Sequence, residues 1–388
     1  MKIGIDVRCL ASGKRTGVEE YTIRLLEELF SEDHKNSYIL FFNAYRGEMI
    51  DLSWAKKYPH VSICHRKIPN KLLNLSLWYL RWPKIDQILG GVDLLFLPNV
   101  NFCAVSEKTK VVMTLHDLSF ERFKQTFSWK HRFWHYFINP KRLCQRADQI
   151  IAVSEATRSD LAETYAINDL ARVSMVHNGV RDTITPLATD TVKKIKMKLK
   201  IPQEYILYFG TVEPRKNITT IIHAFEHLRR KDTKNNNDLK LVIAGNEGWR
   251  GNEVMKIITA SQYAADIIIT GAVNEEEKHV ILSDAKIFLY PSYYEGFGFP
   301  PLEAAASHVP VITSHTSSLP ELVGPHALMI DPLRGDEVVT ALQALLADKV
   351  FYKYIATSAK INTHNFLWTK TAKKTLQALT KVVAQKPV

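Results

Sequence analysis

The sequence predicts an α/β protein with two doubly wound domains, each built on a parallel sheet covered by helices on both faces. Two observations lead to this fold class. Short apolar runs alternate with helical patterns along almost the whole chain, which is typical of parallel sheets. A polar and basic stretch follows the turn signal at residues 178–179 and ends where a fresh apolar run begins near residue 205. We therefore expect two domains of similar size, joined near residues 180–200.

The strand candidates divide evenly between the two predicted domains. In the first half, apolar runs lie at residues 2–7, 38–42, 61–64, 93–97, 110–115, 149–153 and 172–176. In the second half they lie at residues 205–210, 239–245, 266–270, 286–290, 309–313 and 327–330. Helical patterns separate most of them, as at residues 18–30 and 217–230. Residues 231–240 are polar and predict a surface turn.

Composition and charge narrow the class of protein. Of 388 residues, 46% are hydrophobic and 23% charged, which is typical of a soluble globular protein. The net charge of +11 fits an anionic partner, although lysines on solvated helix faces account for much of it. No zinc-finger spacing or RNA-binding aromatic signature is present, so we expect no nucleic-acid partner. The four cysteines show no metal or redox spacing, and no apolar leader is seen, which favours a cytoplasmic protein.

Two polar segments follow strands of the second half. In "GTVEPRKN" (210–217), Gly210 permits a tight turn, and Asn217 is suited to cap the next helix. The adjacent Arg215 and Lys216, placed where a strand leads into a helix, form a candidate anion site. A capped helix with surface cations explains this segment equally well.

The second segment, "PSYYEGFGFPPLEA" (291–304), sets two glycines and a double proline between Glu295 and Glu303. The glycines allow a ligand to approach the backbone, and prolines suit the first turn of a helix. A helix beginning near Pro300 would point its amide groups and positive dipole end at a diphosphate. Glu303 is then suited to ribose hydroxyls and Glu295 to hydroxyls at the other end of the ligand. Taken alone, either glutamate is better explained as an exposed acid near a turn of glycine and proline.

These segments resemble motifs of the retaining GT-B glycosyltransferases of family 4. The stretch 291–304 is similar to the E-x7-E motif, and 208–217 is similar to the donor-phosphate motif. Further matching segments are "RTGVEEYT" (15–22), "TLHDLSF" (114–120), "IAVSEATRSDL" (151–161), "SSLPELVG" (317–324) and "IDP" (330–332). The resemblance implies two facing domains with a deep interdomain cleft. It implies an acceptor-binding domain at residues 1–182, a donor-binding domain at 183–367, and a last helix at 368–388 that packs back on the first domain.

The resemblance also implies roles for individual residues. His116, after the strand at 110–115, contacts the transferred sugar, Glu303 holds the ribose, and the loop 270–274 holds the base. The implied catalytic residues are His116, Arg215, Lys216 and Glu295. The implied donor-binding residues are Gly17, Gly210, Arg215, Lys216, Val273, Glu295, Gly296, Phe297, Gly298, Phe299, Leu302 and Glu303.

Two positions depart from the family pattern. Glu19 follows Gly17-Val18 where the family usually has a glycine, which argues against a close contact from this position. Ser307 and His308 replace a small residue and glycine, which alters only the end of a helix.

The resemblance implies transfer of a hexose with retention, and it favours front-face attack by the acceptor. Arg215, Lys216 and the helix at Pro300 would stabilise the leaving diphosphate. No DxD-type acidic pair is present, so we expect no metal and no cofactor besides the nucleotide diphosphate sugar itself. Residues 114–120 and 210–217 look most like those of bacterial mannosyltransferases of surface-polysaccharide assembly. This resemblance makes GDP-mannose the first choice of donor, with UDP-glucose or UDP-N-acetylglucosamine as alternatives, and it implies a saccharide or lipid-linked acceptor. A nucleotide-sugar epimerase or a non-catalytic sugar-nucleotide-binding protein fits the intact motifs less well. A Rossmann dehydrogenase is unlikely, because no G-x-G-x-x-G follows the first strand.

Residues 120–143 form a basic and aromatic segment. Ser128 is placed to cap a helix that carries Trp129, Phe133, Trp134 and Phe137, and Asn139-Pro140 predicts a second short helix. Lysines and arginines lie among the rings, which suits peripheral contact with an anionic membrane on its cytoplasmic face. The alternative is that the rings belong to the core and the cations to a solvated face.

Overall fold

The computed structural model of the protein describes residues 1–12, 16–45, 52–180, 187–231 and 238–384; of residues 12, 170 and 359–362 it describes the backbone but not the side chains. The predicted domain boundary at 182/183 therefore lies outside the described residues. So do Arg15 and the greater part of the polar turn predicted at 231–240.

The predicted strands are all present in this structure. They are β1 (Lys2–Asp6), β2 (Ser37–Asn43), β3 (Val61–Arg66), β4 (Leu94–Leu97), β5 (Lys110–Leu115), β6 (Gln149–Ala152), β7 (Val173–Met175), β8 (Tyr205–Phe209), β9 (Lys240–Ala244), β10 (Ile267–Gly271), β11 (Ile287–Tyr290), β12 (Val311–Ser314) and β13 (Leu328–Ile330). Most differ from the predicted bounds by one or two residues at an end.

Helices connect most of these strands. They are α1 (Gly17–Glu32), α2 (Ser53–Lys56), α3 (Asn70–Leu75), α4 (Ile85–Ile88), α5 (Ser119–Arg122), α6 (Trp129–Ile138), α7 (Pro140–Arg146), α8 (Glu155–Tyr165), α9 (Thr189–Leu199), α10 (Ile218–Lys231), α11 (Gly251–Ala260), α12 (Glu275–Ser283), α13 (Phe299–Ala306), α14 (Leu319–Val323), α15 (Gly335–Ala347), α16 (Lys349–Thr363) and α17 (Trp368–Ala384). A π-helical turn, Ser76–Leu80, continues α3. No helix in the described part of the chain is long and apolar enough to cross a membrane.

The chain divides into two compact units. The first comprises Met1–Arg122, Trp129–Gly179 and Trp368–Val388, and the second comprises Phe123–Ser128 and Val180–Leu367. The sheet of the first unit has the strand order β3-β2-β1-β4-β5-β6-β7, and that of the second has the order β10-β9-β8-β11-β12-β13. All neighbouring strands pair in parallel. The predicted architecture of two parallel-sheet α/β domains is thus confirmed.

Each sheet is buried on both faces, as its continuous apolar strands predict. Leu95, Met113 and Ile150 lie on adjacent strands of the first sheet and are fully buried. Leu207 and Phe288 occupy the corresponding central strands of the second sheet. Burial of each such side chain contributes about 1.5–3 kcal/mol to stability. Because these cores hold the strands in place, each loop that follows a strand starts from a fixed position.

The last helix, α17, belongs to the first unit. The Thr371 hydroxyl donates to the carbonyl of His177 at 2.8 Å, and the Trp368 ring lies 6.2 Å from that of Tyr21 on α1. Gly179 lies so close to Trp368 that a Cβ at this position would collide with the backbone of Trp368. The helix α17 therefore packs as part of the helical layer of the first unit.

Candidate functional site

The second sheet has its topological switch point between β8 and β11. From β8 the chain proceeds to β9 on one side, and from β11 it proceeds to β12 on the other. Loops that follow two such strands diverge and leave a crevice at their carboxyl ends, where ligands of doubly wound sheets bind. Arg215 and Lys216 follow β8, and Glu295 follows β11. The sheet therefore brings together the two segments that the sequence singled out.

The loop after β8 turns sharply and is tied to its neighbours. Gly210 has φ of +152°, a conformation that favours glycine. A 3-10 turn, Pro214–Lys216, then leads to Asn217. The side-chain nitrogen of Asn217, Nδ2, donates to the backbone carbonyls of Pro291 at 3.1 Å and Pro332 at 2.7 Å. The residue expected to cap α10 thus links three loops, and it fixes the basic turn against the loop after β11.

Arg215 and Lys216 converge on the carboxylate of Glu295. Lys216 Nζ lies 2.6 Å from Glu295 Oε1, and Arg215 Nη1 lies 3.0 Å from Glu295 Oε2. Lys216 Nζ also donates to the Tyr290 hydroxyl at 2.8 Å, and Arg215 Nη1 donates to the carbonyl of Tyr294 at 2.5 Å. Each carboxylate oxygen therefore faces one cation, which holds Glu295 in a single orientation.

Burial controls the electrostatics of this cluster. Glu295 is 6% exposed and Lys216 is 8% exposed. Burial alone would raise the pKa of Glu295, but the charges of Arg215 and Lys216 outweigh it and lower that pKa to about 2. Burial, together with the neighbouring Arg215, lowers the pKa of the Lys216 ammonium. Burial likewise raises the pKa of Tyr290, which stays protonated beside the charged groups.

A fourth charged residue, Glu213, completes the cluster. Its Oε1 lies 2.8 Å from Arg215 Nη2. Two cations and two carboxylates therefore balance one another before any ligand arrives. The sequence analysis overlooked Glu213, although it lies within the "GTVEPRKN" segment two residues before Arg215.

Hydroxyl groups fasten the glycine-containing loop that carries Glu295. Ser314 donates to the carbonyl of Ser292 at 2.6 Å, and Thr316 donates to that of Tyr293 at 3.0 Å. Ser317 Oγ accepts the amide of Glu295 at 2.9 Å, and the fully buried Ser318 donates to the carbonyls of Glu295 and Phe297. We call these four residues the hydroxyl clamp. It comes from the end of β12 and the loop that follows, and it fixes the backbone on both sides of Gly296.

Gly298 marks the start of α13. Its φ is +119°, and a Cβ there would lie 2.8 Å from Leu319, so both conformation and space require glycine. The helix begins at Phe299, and the following Pro300 and Pro301 carry no N–H group. Phe299 and Leu302 therefore hold the backbone donors of the first turn. This refines the expectation that the helix start as a whole offers amide groups.

Glu303, on α13, pairs with a lysine that the sequence analysis did not single out. Lys278 Nζ, on α12, lies 2.8 Å from Glu303 Oε1 and 3.2 Å from Glu275. Burial opposes the charge of Lys278, but the two carboxylates prevail and raise its pKa. Lys278 is thus a fixed cation that orients Glu303.

The loop predicted to hold a base follows β10. Gly271, with φ of +69°, ends the strand, and Asn274 begins α12 with a capping box formed with Glu277. Val273 lies between them and packs partly against the core of the second unit. Its backbone is therefore held between two fixed points.

His116 lies in the first unit, directly after β5. Its Nε2 lies 2.9 Å from the carbonyl oxygen of Pro98, which follows the neighbouring strand β4. Because a carbonyl oxygen only accepts, Nε2 carries the proton, and Nδ1 of the neutral ring is an acceptor. Burial lowers the pKa of His116, which keeps the ring neutral near pH 7. The ring of Tyr21 packs edge-on against it, with centroids 4.7 Å apart.

Gly17 and Glu19 lie at the start of α1, in the first unit. Gly17 is the first residue of the helix, and Thr16 is its N-cap. The Glu19 carboxylate accepts the Thr16 backbone amide at 3.1 Å and also the Thr16 hydroxyl, and the Thr16 side chain accepts the backbone amide of Glu19, which makes a capping box. The glutamate that departs from the family pattern therefore serves the helix start. The spacing of a threonine followed three residues later by glutamate signals this role, and the sequence analysis did not use it.

Within the described ranges, no group of three or more His, Cys, Asp or Glu side chains is arranged to hold a metal ion. That the reaction proceeds without a metal ion remains a prediction.

Two family models match the chain, one in each half. The glycosyltransferase family 4 model matches residues 15–183, and the glycosyl transferases group 1 model matches residues 191–362. Similar curated proteins include the serotype-specific mannosyltransferase WbdA of Escherichia coli, 27% identical over 280 residues, which are 71% of this chain and 34% of WbdA. The O-antigen chain mannosyltransferase B of Escherichia coli is 26% identical over 72% of each chain. The chain thus spans about a third of the length of the WbdA relatives.

Solved structures share the fold. Sucrose-phosphate synthase from Thermosynechococcus elongatus superposes with a TM-score of 0.75 over 99% of both chains, at 19% identity. WaaG, a glycosyltransferase involved in lipopolysaccharide biosynthesis, gives a TM-score of 0.71 over 97% of this chain and 99% of its own, at 14% identity. The GT-B class predicted from the sequence is thereby confirmed.

Proposed function

We propose that this chain, which belongs to the group 1 and family 4 glycosyltransferases, is a retaining hexosyltransferase that moves mannose from GDP-mannose to a saccharide or lipid-linked acceptor. The observation that carries the proposal is the cluster of Arg215, Lys216 and Glu295 at the switch point of the second sheet. It sets two fixed cations beside a buried, ionised carboxylate. This combination suits a ligand that carries both phosphates and hydroxyl groups.

The cations are suited to stabilise the leaving group. Glycosyl transfer breaks the bond between the sugar and the diphosphate, and negative charge grows on the departing oxygen. Arg215 and Lys216 are held in place before the reaction, so stabilising that charge requires little reorganisation. The reaction needs no metal ion on this account, because the two fixed cations supply positive charge at the diphosphate. The amides of Phe299 and Leu302 are the candidate further donors.

The carboxylates are suited to the two sugars of the donor. Glu295, beside the glycine-containing loop, would accept hydrogen bonds from hydroxyls of the transferred hexose. Glu303, oriented by Lys278, would accept them from the ribose, and the backbone at Val273 would contact the base. His116, neutral and with Nδ1 as an acceptor, would contact the hexose, and Gly17 would approach the phosphates. The acceptor hydroxyl would attack from the face of the leaving phosphate, which would take its proton.

The choice of mannose rests on relatives. WbdA and the O-antigen chain mannosyltransferase B are named as mannosyltransferases, and so is the MMP alpha-(1->4)-mannosyltransferase of Mycolicibacterium hassiacum, 26% identical over 260 residues. The O-antigen relatives favour a surface polysaccharide as the product. A cytoplasmic location and a contact of residues 120–143 with an anionic membrane are part of the proposal. Trp129, Phe133 and Tyr136 support that contact because all three are exposed.

A donor screen tests the proposal. The purified protein is incubated with GDP-mannose, GDP-fucose, UDP-glucose and UDP-N-acetylglucosamine, and mass spectrometry detects the bound nucleotide and the released sugar. We expect binding and slow hydrolysis of GDP-mannose, with both reduced in a Glu303→Gln variant. Release of mannose in the same anomeric configuration, followed by NMR, tests retention. Hydrolysis of a UDP-sugar alone would overturn the choice of donor, and binding without any turnover would favour a sugar-nucleotide-binding protein.

A further inference from the structure

Exposed apolar side chains are concentrated on two segments of the first unit. Among the described residues, ten of the nineteen large hydrophobic side chains that are exposed lie within residues 70–82 and 129–136. The first segment contributes Leu72, Leu75, Trp78, Tyr79, Leu80 and Trp82. The second contributes Trp129, Phe133, Trp134 and Tyr136. Soluble proteins rarely expose so many apolar groups together, and such patches mark interaction sites.

The two segments touch and form one surface. The Trp78 ring packs edge-on against Phe137, with centroids 4.7 Å apart, and Phe137 packs against Phe133 at 4.4 Å. Beneath the rings, Leu73 and Leu77 on one segment and Ile138 on the other are buried in the core of the first unit. Each segment is therefore anchored by its inner side chains, and its outer ones stay exposed. We call residues 70–82 and 129–142 together the aromatic surface.

The charges on the aromatic surface are of one sign. Residues 67–85 and 122–147 contain no aspartate or glutamate. Lys71 and Arg81 are exposed on the first segment, and Lys130 and Arg132 on the second. Lys141 and Arg142, on α7, extend the charge further, and both are exposed. The two segments of the surface therefore combine rings with cations and contain no carboxylate of their own.

We propose that the aromatic surface docks the first unit on an anionic lipid bilayer, with residues 70–82 supplying as much of the contact as α6. Tryptophan and tyrosine favour the boundary between lipid headgroups and acyl chains, and lysine and arginine favour anionic headgroups. Each cation near such a surface strengthens binding roughly fivefold. The inference rests on the membrane contact of residues 120–143 in the proposed function and extends it to residues 70–82. It does not depend on the proposed donor or reaction, because none of these residues belongs to the cluster around Glu295.

Vesicle sedimentation tests the proposal without any substrate. The protein is mixed with phosphatidylcholine vesicles, with or without about 30 mol% phosphatidylglycerol. We expect sedimentation with the anionic vesicles only, and its loss as salt is raised. A double variant in each segment, Leu75→Ser/Tyr79→Ser and Phe133→Ser/Tyr136→Ser, is expected to weaken binding at least about tenfold. The matched control is Lys353→Gln/Tyr354→Ser, which alters an exposed cation and an exposed ring on α16.

The outcomes separate the possible occupants of the surface. Equal losses in the two segment variants, with thermal unfolding and donor hydrolysis unchanged, would support one bilayer-binding surface. Normal binding by Leu75→Ser/Tyr79→Ser would overturn the role of residues 70–82. If the wild type ignores anionic vesicles at low salt but forms a dimer that the same variants dissociate, the surface is an interface between two copies. If the wild type binds anionic vesicles but does not hydrolyse the donor, this result would count against the proposed donor and reaction and not against the bilayer-binding surface.

Discussion

Replacing Glu295 by glutamine tests whether this carboxylate is ionised and paired in the folded protein. The substitution keeps the size of the side chain and removes the charge that Lys216 and Arg215 share. The glutamine side chain keeps one oxygen as an acceptor. Its NH2 group replaces the other oxygen and places a hydrogen-bond donor opposite one of the two cations. We therefore expect the Glu295→Gln variant to fold with lower stability.

The magnitude follows from the pKa. The pKa of Glu295 falls from 4.5 to about 2 in the folded protein. A difference of about 2.5 units at about 1.36 kcal/mol per unit gives roughly 3 kcal/mol of stability. Glu295 is almost fully buried, so solvent does not screen this contribution. Because the folded pKa is the lower one, the stabilisation is present above the unfolded pKa and is lost as pH falls from about 4.5 towards 2.

Urea unfolding over a pH series measures this difference. Near pH 7 the variant is expected to lose about 3 kcal/mol relative to the wild type, and the gap is expected to narrow steadily near pH 3. The control is Glu253→Gln, at an exposed pair with Arg250, where a change within about 0.5 kcal/mol is expected. A gap that stays constant with pH, or no gap at all, would refute the pairing of an ionised Glu295 with the two cations.

Three further outcomes follow from the site. Lys216→Ala is expected to lower kcat on the order of a hundredfold or more with saturating donor. The control Lys286→Ala is expected to leave kcat unchanged. A near-normal kcat of Lys216→Ala would remove Lys216 from the leaving-group site. Lys278→Ala is expected to raise KM for the donor several-fold and to change kcat less, because it orients Glu303 at 2.8 Å; steady-state kinetics that show the reverse split would contradict a positioning role. Treatment with EDTA is expected to leave the rate of transfer unchanged, and recovery of a lost rate on adding Mg²⁺ would contradict catalysis by fixed cations.

The fold was predictable because each strand carries its own signal. Apolar runs such as those of β8 and β11 predict strands that are buried on both faces. Because a helix lies between most successive strands, the strands of one sheet run parallel. The strand order follows less directly, since no local pattern states that β8 and β11 are neighbours. That pairing is nevertheless what brings Arg215 and Lys216 to Glu295, about 80 residues further along the chain.

The candidate site was only partly predictable. Arg215, Lys216, Glu295 and Glu303 stood out because they follow strands next to glycine and proline. The contacts of Glu213, Lys278 and the hydroxyl clamp depend on tertiary packing, and serines and lysines are too common to stand out in sequence. Residues 70–82 illustrate the opposite difficulty. Their apolar pattern resembles that of a buried segment, and only the structure shows that most of these side chains, among them Trp78, Tyr79 and Trp82, are exposed.

The balance of charge in the Glu295 cluster has a consequence for selectivity among the anions of a cell. A phosphate or sulfate ion would compete with Glu213 and Glu295 for Arg215 and Lys216, and it would take from the buried Glu295 the two cations that pair with it. Leaving a buried charge unpaired is costly. The proposed donor carries hydroxyl groups beside its phosphates, and these would supply donors to the carboxylate as the phosphates occupy the cations. We therefore expect inorganic phosphate and sulfate to bind this cluster more weakly than the proposed sugar nucleotide.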